Sequence, residues 1–245
     1  MSQTPRAGIV TGASRGLGRA IALRLAANGF AVAVNYAGNR QAAGEVVQAI
    51  IDQGGRAIAV QGDVAELAGM QRLFDETRAA FGRIDVVVNN AGTMPYLTIA
   101  DLDLDGFDAV MRTNLRGAFI VLGLAARQVE EGGRLIALST SVIAKAFPAY
   151  GPYIASKSGV EGLVHVLANE LRGRNVTVNA VAPGPVPTEL FLNGKTEQQV
   201  EQIAQLAPLQ RLGTPEEIAA AVSFLAGPDG SWVNSQVIRA NGGFT

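Results

Sequence analysis

Short apolar, β-branched runs alternate along this chain with longer segments in which apolar residues recur at helical spacing. Most of the short runs are apolar on both faces, as parallel strands buried between two layers of helices require. The predicted strands are Ala7–Thr11, Ala31–Asn35, Ala57–Gln61, Val86–Asn89, Arg134–Ser139, Val176–Val181 and Gln236–Arg239. The predicted helices lie near 16–28, 40–53, 66–81, 105–130, 154–172 and 215–226.

This alternation of strands and helices predicts an α/β fold in one domain spanning residues 1–245. Parallel neighbours need crossover connections, so we expect a Rossmann-type, doubly wound parallel sheet of about seven strands with helices on both faces. The rhythm breaks once, between Pro183 and Pro208, where the chain has four prolines. Because insertions of this length are usually functional, we interpret residues 184–210, approximately, as a partly helical substrate lid.

Composition narrows the possible functions. The chain of 245 residues is 48% hydrophobic, enough for a full core, and its net charge of −1 indicates neither a nucleic acid nor a membrane partner. It has no cysteine and a single histidine, His165, which argues against a thiol nucleophile, a Cys/His metal site and Ser-His-Asp hydrolysis. We find no signal-like segment, and the longest apolar run is short of the ~20 residues that a bilayer requires. We therefore expect a cytoplasmic protein.

The first predicted strand leads into a glycine-rich turn, Thr11–Gly18, and then into a helix. Glycines allow a tight turn and let backbone amides approach a pyrophosphate, while the helix N-terminus offers free N–H groups and a positive dipole end. The spacing Gly-x-x-x-Gly-x-Gly differs from the usual dinucleotide fingerprint, but the turn lies in the first βα unit, where such folds bind nucleotides.

With this loop and several later motifs, the chain resembles the short-chain dehydrogenase/reductase family over nearly its full length. The later motifs are Asn89-Asn90-Ala91-Gly92, Asn114, Tyr153-x-x-x-Lys157, Pro183-Gly184 and Asn241-Gly242-Gly243. The similarity is greatest to bacterial 3-oxoacyl-[acyl-carrier-protein] reductases and related carbonyl reductases. It implies a small-molecule carbonyl/alcohol substrate and a homotetramer built on the helices near 105–130 and 154–172.

The end of the second strand bears on which nicotinamide cofactor binds. An acidic residue there binds the ribose 2′-hydroxyl in NAD enzymes, but this strand ends at Asn35 and Tyr36. Ser14 and Arg15, or Arg40, are able to bind a 2′-phosphate, which predicts NADP(H). Together with the family resemblance, this assigns cofactor binding to Gly12, Ser14, Arg15, Gly16, Leu17, Gly18, Asn35, Tyr36, Asp63, Val64, Asn90, Ala91, Gly92, Tyr153, Lys157, Pro183, Gly184, Val186 and Thr188.

Tyr153 and Lys157 are four residues apart in a predicted helix, so their side chains share one face. Free tyrosine has a pKa of ~10, and a neighbouring ammonium favours the phenolate, so we expect a lowered pKa for Tyr153. The resemblance makes Tyr153 the general acid/base and has Lys157 bind the nicotinamide ribose.

A third catalytic group, a hydroxyl that polarises the carbonyl, is expected in Ser139-Thr140-Ser141. Counting thirteen residues back from Tyr153 gives Thr140, whereas local matching to the family gives Ser141, which we favour. The resemblance also assigns Asn114 to hold a water in a proton relay to Lys157.

Three functions are compatible with these motifs. The first is an NADP(H)-dependent oxidoreductase acting on a carbonyl and a secondary alcohol, with 3-oxoacyl thioesters or related ketones among its candidate substrates. The second is a non-catalytic NADP-binding regulator on the same fold. The third, a sugar-nucleotide epimerase or dehydratase, needs an added substrate domain, and only about 60 residues follow Gly184. The intact Asn114, Ser141, Tyr153 and Lys157 favour the first.

Overall fold

Seven parallel strands form one sheet in the computed structural model, which describes residues 5–245 of the chain. The strands are β1 (Ala7–Val10), β2 (Ala31–Tyr36), β3 (Ala57–Gln61), β4 (Val86–Asn89), β5 (Arg134–Leu138), β6 (Thr177–Pro183) and β7 (Val237–Ala240). Their order is β3-β2-β1-β4-β5-β6-β7. The order reverses between β1 and β4, and in such sheets ligands bind at this point, beyond the carboxyl ends of the strands.

Nine α-helices lie within residues 5–245, and each predicted helix corresponds to one or two of them. They are α1 (Gly16–Ala27), α2 (Arg40–Asp52), α3 (Leu67–Phe81), α4 (Leu104–Val110), α5 (Gly117–Gln128), α6 (Gly151–Glu170), α7 (Glu189–Leu192), α8 (Glu197–Ala204) and α9 (Pro215–Ala226). The short helices α7 and α8 occupy the insertion between β6 and α9. The role of that insertion as a lid stays a prediction.

Two apolar cores cover the two faces of the sheet. One contains Phe74 of α3, Val121 of α5 and Val164 of α6, and the other contains Leu25 of α1 and Ile218 of α9. Alternate residues of one strand reach opposite cores, because successive side chains of a strand point to opposite faces. Buried side chains of this size each contribute roughly 1.5–3 kcal/mol to folding. The fold expected from the alternation of strands and helices is therefore confirmed.

The predicted helix at 105–130 is divided by a π-helical segment, Met111–Arg116, between α4 and α5. The spacing of apolar residues in the sequence does not reveal such a segment, because one widened turn barely changes that spacing. Single π turns occur frequently at functional sites. Here the segment contains Asn114, whose side chain is buried.

The same stretch, Leu104–Gln128, has a mean hydropathy of 1.2 over its most apolar window and is long enough to cross a membrane. Core helices of globular domains meet the same length and composition criteria. In this fold Val121, Leu122 and Ala125 are buried in the core beneath the sheet, and this packing accounts for their apolar character.

Candidate active site

A cleft of about 600 Å³ lies at the carboxyl ends of the strands, where the strand order reverses. Most of the residues expected to bind cofactor line it, along with both members of the Tyr-x-x-x-Lys pair. These are Gly12, Ser14, Arg15, Gly16, Leu17, Gly18, Asn35, Asp63, Val64, Asn90, Ala91, Gly92, Tyr153, Lys157, Pro183, Gly184, Val186 and Thr188. Three predicted site residues, Tyr36, Asn114 and Ser141, lie behind its walls.

The glycine loop has the conformation and close packing that only glycine allows. Gly12 and Gly16 have φ of +60° and +54°, in the left-handed region. A Cβ atom on Gly18 would lie 2.3 Å from the Gly12 carbonyl oxygen and 2.5 Å from Asn90 Nδ2. Any larger side chain at Gly18 would therefore push α1 away from the loop.

Two asparagines hold the loop in place. Asn35 Oδ1 accepts a hydrogen bond from the Gly12 amide at 3.2 Å, and Asn35 Nδ2 donates to the Gly62 carbonyl at 3.0 Å. Asn90 Nδ2 donates to the carbonyls of Thr11 at 2.9 Å and Gly12 at 3.1 Å. The side chains of Asn35 and Asn90 therefore shape the backbone of the cleft.

One end of the cleft is formed by residues that follow β2 and β3. Asp63 Oδ1 accepts from the Ala65 amide, and Asp63 Oδ2 pairs with Arg112 at 2.9 Å. Partial burial acts to raise the pKa of Asp63, but these two hydrogen bonds outweigh it and lower the pKa below its ordinary value. Tyr36 is buried in the core, and Ala37, Gly38 and Asn39 line the cleft instead. The contact of Tyr36 with the cofactor stays a prediction.

An ion pair spans the middle of the cleft. Arg15, the N-cap residue of α1, contacts Glu189, the first residue of α7, at 2.5 Å. Both side chains are more than 70% exposed, so the pair contributes little to stability. Arg40, the alternative phosphate ligand, lies outside the residues that line the cleft.

Tyr153 lies near the start of α6, and its side chain is buried at the inner end of the cleft. Burial raises the pKa of Tyr153 to about 12, although a hydrogen bond with the Thr140 side chain acts to lower it. The expectation that Lys157 brings this pKa below the ordinary value is wrong for this arrangement. Removal of the phenolate from water outweighs any attraction to the nearby cation.

Lys157 lies one turn further along α6 and is also buried. Its Nζ donates a hydrogen bond to the Leu138 carbonyl at the end of β5 at 2.7 Å. Burial lowers the pKa of Lys157 to about 8. A Cβ atom on Gly92 would lie 3.4 Å from this Nζ, so glycine at that position leaves the ammonium open toward the cleft.

Two hydroxyl residues after β5, Ser139 and Thr140, line the cleft with Tyr153, whereas the sequence favoured Ser141. Ser139 Oγ donates to Glu161, which leaves Thr140 as the candidate. Ser141 is 1% exposed, donates to the Ala182 carbonyl at 2.9 Å and accepts from Asn241 Nδ2 at 2.9 Å. Thr140 lines the cleft, and its Oγ1 accepts a hydrogen bond from the Val142 amide at 3.3 Å. The correction arises because Ser141 begins a 3₁₀ turn directly after the strand, which directs its side chain toward β6.

Asn114 supports the cleft from behind. Its Oδ1 accepts from the Thr93 amide at 2.8 Å, and its Nδ2 donates to the Thr93 carbonyl at 2.9 Å and to Ser156 Oγ at 3.1 Å. Both ends of the carboxamide are therefore used to hold the loop after β4 against α6. Its assignment to a proton relay stays a prediction.

Aromatic side chains surround the outer part of the cleft beside Tyr153. Tyr150 contacts Tyr153 edge-on at 6.3 Å between ring centroids, and Phe147 contacts Phe244 at 6.2 Å. Met94 and Phe191 complete this lining. Phe147 and Phe244 are nearly a hundred residues apart, and no local pattern indicates that they meet.

The residues present fit a dinucleotide. The glycine cradle, the amides at the N-terminus of α1 and the Arg15 guanidinium supply donors for phosphates. Gly12 also packs closely against Ala91: a Cβ atom added to Gly12 would lie 2.9 Å from the Ala91 Cα atom. The base of the cradle is therefore formed by backbone atoms. Tyr153 and Lys157 lie in the same cleft as this cradle.

Comparison with known proteins places the chain in a family. A family model described as Enoyl-(Acyl carrier protein) reductase matches residues 12–245. A short-chain type dehydrogenase/reductase of Picea abies is 45% identical over 97% of this chain and 92% of that protein. The NADPH-dependent aldehyde reductase-like protein, chloroplastic, of Arabidopsis thaliana is 42% identical over 98% of this chain and 94% of that protein.

A solved structure agrees with these sequence relatives. The short-chain dehydrogenase from Burkholderia cenocepacia J2315 in complex with NADP has a TM-score of 0.92 and 35% identity, covering 99% of this chain and 98% of that one. The chain belongs to the short-chain dehydrogenase/reductase family. It is an oxidoreductase of that family, and the resemblance inferred from the motifs is confirmed.

Proposed function

We propose that this protein is an NADP(H)-dependent oxidoreductase that interconverts a carbonyl and a secondary alcohol, with Tyr153 as general acid/base. The observation that carries the proposal is the position of Tyr153, Lys157 and Thr140 in one cleft with the glycine cradle. Tyr153 and Lys157 are both buried there. Burying a phenol and an amine lowers the free energy of unfolding, and a protein that only binds a nucleotide gains nothing from that loss. This argues against the non-catalytic regulator.

The chain's own residues suggest how the proton moves. When bound, NADP(H) supplies or accepts the hydride. Thr140 orients the substrate oxygen by a hydrogen bond, and Tyr153 delivers its proton to that oxygen during reduction. A pKa of about 12 keeps Tyr153 protonated at neutral pH, as a donor requires. Lys157, whose pKa is near 8, is then the group that restores the proton.

NADP(H) is the cofactor. The chain is 42% identical to a relative named as NADPH-dependent, and it matches along its whole length a structure solved with NADP. No carboxylate lines the cleft at residues 35–39, where it would repel a 2′-phosphate. Ser14 and Arg15 line the cleft next to the glycine loop, which supports their assignment as ligands of that phosphate.

The test is the loss of NADPH near-ultraviolet absorbance with benzaldehyde, butanal or acetoacetyl-coenzyme A. We expect the wild type to reduce at least one of these carbonyls. The matched control is Tyr153→Phe, which we expect to bind NADPH without turnover. Tight NADPH binding by the wild type, with no carbonyl reduced, would support the regulator instead.

We also propose that the protein is a homotetramer, and cytoplasmic localisation stays a prediction. Phe119 on α5 and Val166 on α6 are 66% and 57% exposed, on the two helices that the family resemblance places at a subunit interface. Burial of such side chains favours association. Sedimentation at micromolar concentration tests the proposal, and a monomer would contradict it.

A further inference from the structure

The outer part of the cleft, beyond Tyr153, is apolar and aromatic. Its lining includes Met94, Phe147, Tyr150, Phe191, Ile203 and Phe244. Of all the described residues that line the cleft, four carry charge: Arg15, Asp63, Lys157 and Glu189. Arg15 and Glu189 pair with each other, Asp63 pairs with Arg112, and Lys157 is buried. The lining next to Tyr153 therefore has no unpaired surface charge of its own, and the cations Lys145 and Lys195 lie outside the lining, over the rings of Phe244 and Phe191.

One wall of this compartment belongs to the insertion, and a cation fastens it. Lys195 lies between α7 and α8, and its Nζ donates hydrogen bonds to the Tyr96 hydroxyl and the Phe191 carbonyl. The same ammonium lies 4.3 Å from the centroid of the Phe191 ring and 5.1 Å from that of the Tyr96 ring. These three residues, Tyr96, Phe191 and Lys195, form what we call the clasp.

The clasp is connected to Tyr153 through Tyr150. The Tyr150 hydroxyl donates to the Tyr96 hydroxyl at 3.4 Å, and the two rings meet edge-on at 5.3 Å. Leu97 donates from its amide to the Ala149 carbonyl at 2.9 Å, which ties the loop after β4 to the segment before α6. Lys195 and Tyr96 both lie outside the cleft lining, so they act on the compartment through Phe191 and Tyr150, which line it.

We propose that Lys195 is a positioning residue that determines specificity: by fastening the insertion to Tyr96, it holds together an aromatic compartment that selects free aromatic aldehydes or ketones. This inference rests on the proposed function and names its substrate class. Aromatic rings pair favourably with other rings edge-on or offset at 4.5–7 Å, and the walls of the compartment already present rings in this way. A flat substrate ring gains these contacts, whereas a flexible alkyl chain loses conformational entropy when it is enclosed.

The same walls disfavour acyl thioesters of coenzyme A or of a carrier protein. The pantetheine arm of such substrates carries two amides, and burying these amides against apolar walls without hydrogen-bond partners costs free energy. The 3-oxoacyl thioester, one of the candidates from sequence, is therefore disfavoured.

The experiment compares steady-state reduction of benzaldehyde, butanal and acetoacetyl-coenzyme A by the wild type and three variants. Lys195→Met removes the charge and keeps the length, and Lys195→Arg keeps the cation. Lys145→Met is the matched control, because Lys145 also lies over an aromatic ring, that of Phe244 at 5.0 Å, but belongs to the segment before α6. NADPH affinity is measured separately by fluorescence, as a readout independent of turnover.

We expect the wild type to prefer benzaldehyde to butanal in kcat/KM and to reduce acetoacetyl-coenzyme A poorly. Lys195→Met should raise the KM for benzaldehyde about 3- to 10-fold and reduce the preference, with kcat and NADPH affinity unchanged. Lys195→Arg and Lys145→Met should retain the wild-type KM.

An unchanged KM in Lys195→Met would overturn the inference, as would wild-type reduction of butanal or acetoacetyl-coenzyme A at least as efficient as that of benzaldehyde. Either result leaves the proposed function standing, because a carbonyl is still reduced. NADPH binding without reduction of any carbonyl would instead overturn the proposed function, and the inference with it.

Discussion

Asn241 donates a hydrogen bond from Nδ2 to Ser141 Oγ at 2.9 Å, although one hundred residues separate them along the chain. Ser141 donates in turn to the Ala182 carbonyl. The Ser141 hydroxyl thereby joins the end of β5 to β6 and to the segment after β7, and it is not free to meet a substrate. Thr140, its neighbour, lines the cleft together with Tyr153.

Thr140→Val should therefore damage catalysis more than Ser141→Ala. Loss of one hydrogen bond to a reacting oxygen costs about 100-fold in kcat, so we expect a loss of this size for Thr140→Val with normal NADPH affinity. Ser141→Ala should mainly lower the free energy of unfolding, by about 1–2 kcal/mol. Steady-state kinetics and thermal denaturation of both variants test this, and the reverse order of the kcat losses would return the role to Ser141.

Tyr153→Phe should lower the rate of carbonyl reduction by about 100- to 10,000-fold, because general acid catalysis contributes on this scale. The ring keeps its edge-on contact with Tyr150, so NADPH affinity and thermal stability should stay close to those of the wild type. Fluorescence titration with NADPH gives the control. Retention of most of the activity would exclude Tyr153 as the proton donor.

Lys157→Met should make the protein more stable to heat while it abolishes turnover and weakens NADPH binding. Burial lowers the pKa of Lys157 from 10.5 to about 8, so at pH 7 the folded state carries a charge that water solvates better in the unfolded chain. Removing this cost should stabilise the fold by up to about 3 kcal/mol. Methionine keeps the length and apolar stem of the side chain.

The stabilisation expected for Lys157→Met should depend on pH, because it follows from the lowered pKa of Lys157. Between about pH 8 and pH 10.5 the unfolded lysine binds more protons than the folded one, so the wild type gains stability as the pH rises. The difference in Tm between Lys157→Met and the wild type should therefore be largest below pH 8 and shrink toward pH 10. A difference that is constant across this range would show that burial of the amine does not set its pKa.

Ala37→Asp should shift cofactor preference from NADPH toward NADH. Tyr36 is buried, so a carboxylate there would damage the core, whereas Ala37 lines the cleft at the end of β2. A carboxylate at that position would repel a 2′-phosphate and accept from a ribose hydroxyl. Isothermal titration with both nucleotides measures the shift, and Ala37→Asn, of nearly equal size but uncharged, is the control. Equal changes in both affinities would argue that Ala37 lies away from the 2′ position.

The fold was largely predictable from the sequence, because strand and helix positions follow from local patterns. Every predicted strand is present and ends within two residues of its expected position. Buried parallel strands are apolar on both faces and helices repeat with their own period, so each segment carries its own signal. The Thr11–Gly18 turn and the Tyr153 and Lys157 pair were also readable, since their residues are close together in the chain.

Tertiary structure decided which side chains face the cleft and how they ionise. Ser141 and Thr140 are neighbours, and only the contacts of Ser141 with Ala182 and Asn241 show that its hydroxyl is turned away from the cleft. The pKa of Tyr153 depends on burial among residues distant in sequence, so the four-residue spacing to Lys157 predicted the wrong direction. The meeting of Lys195 with Tyr96, 99 residues earlier, likewise has no local pattern behind it. Such contacts arise from the path of the folded backbone. Residues that are far apart in the chain meet only because the strands and helices pack as they do, and no local sequence pattern records which of them will meet.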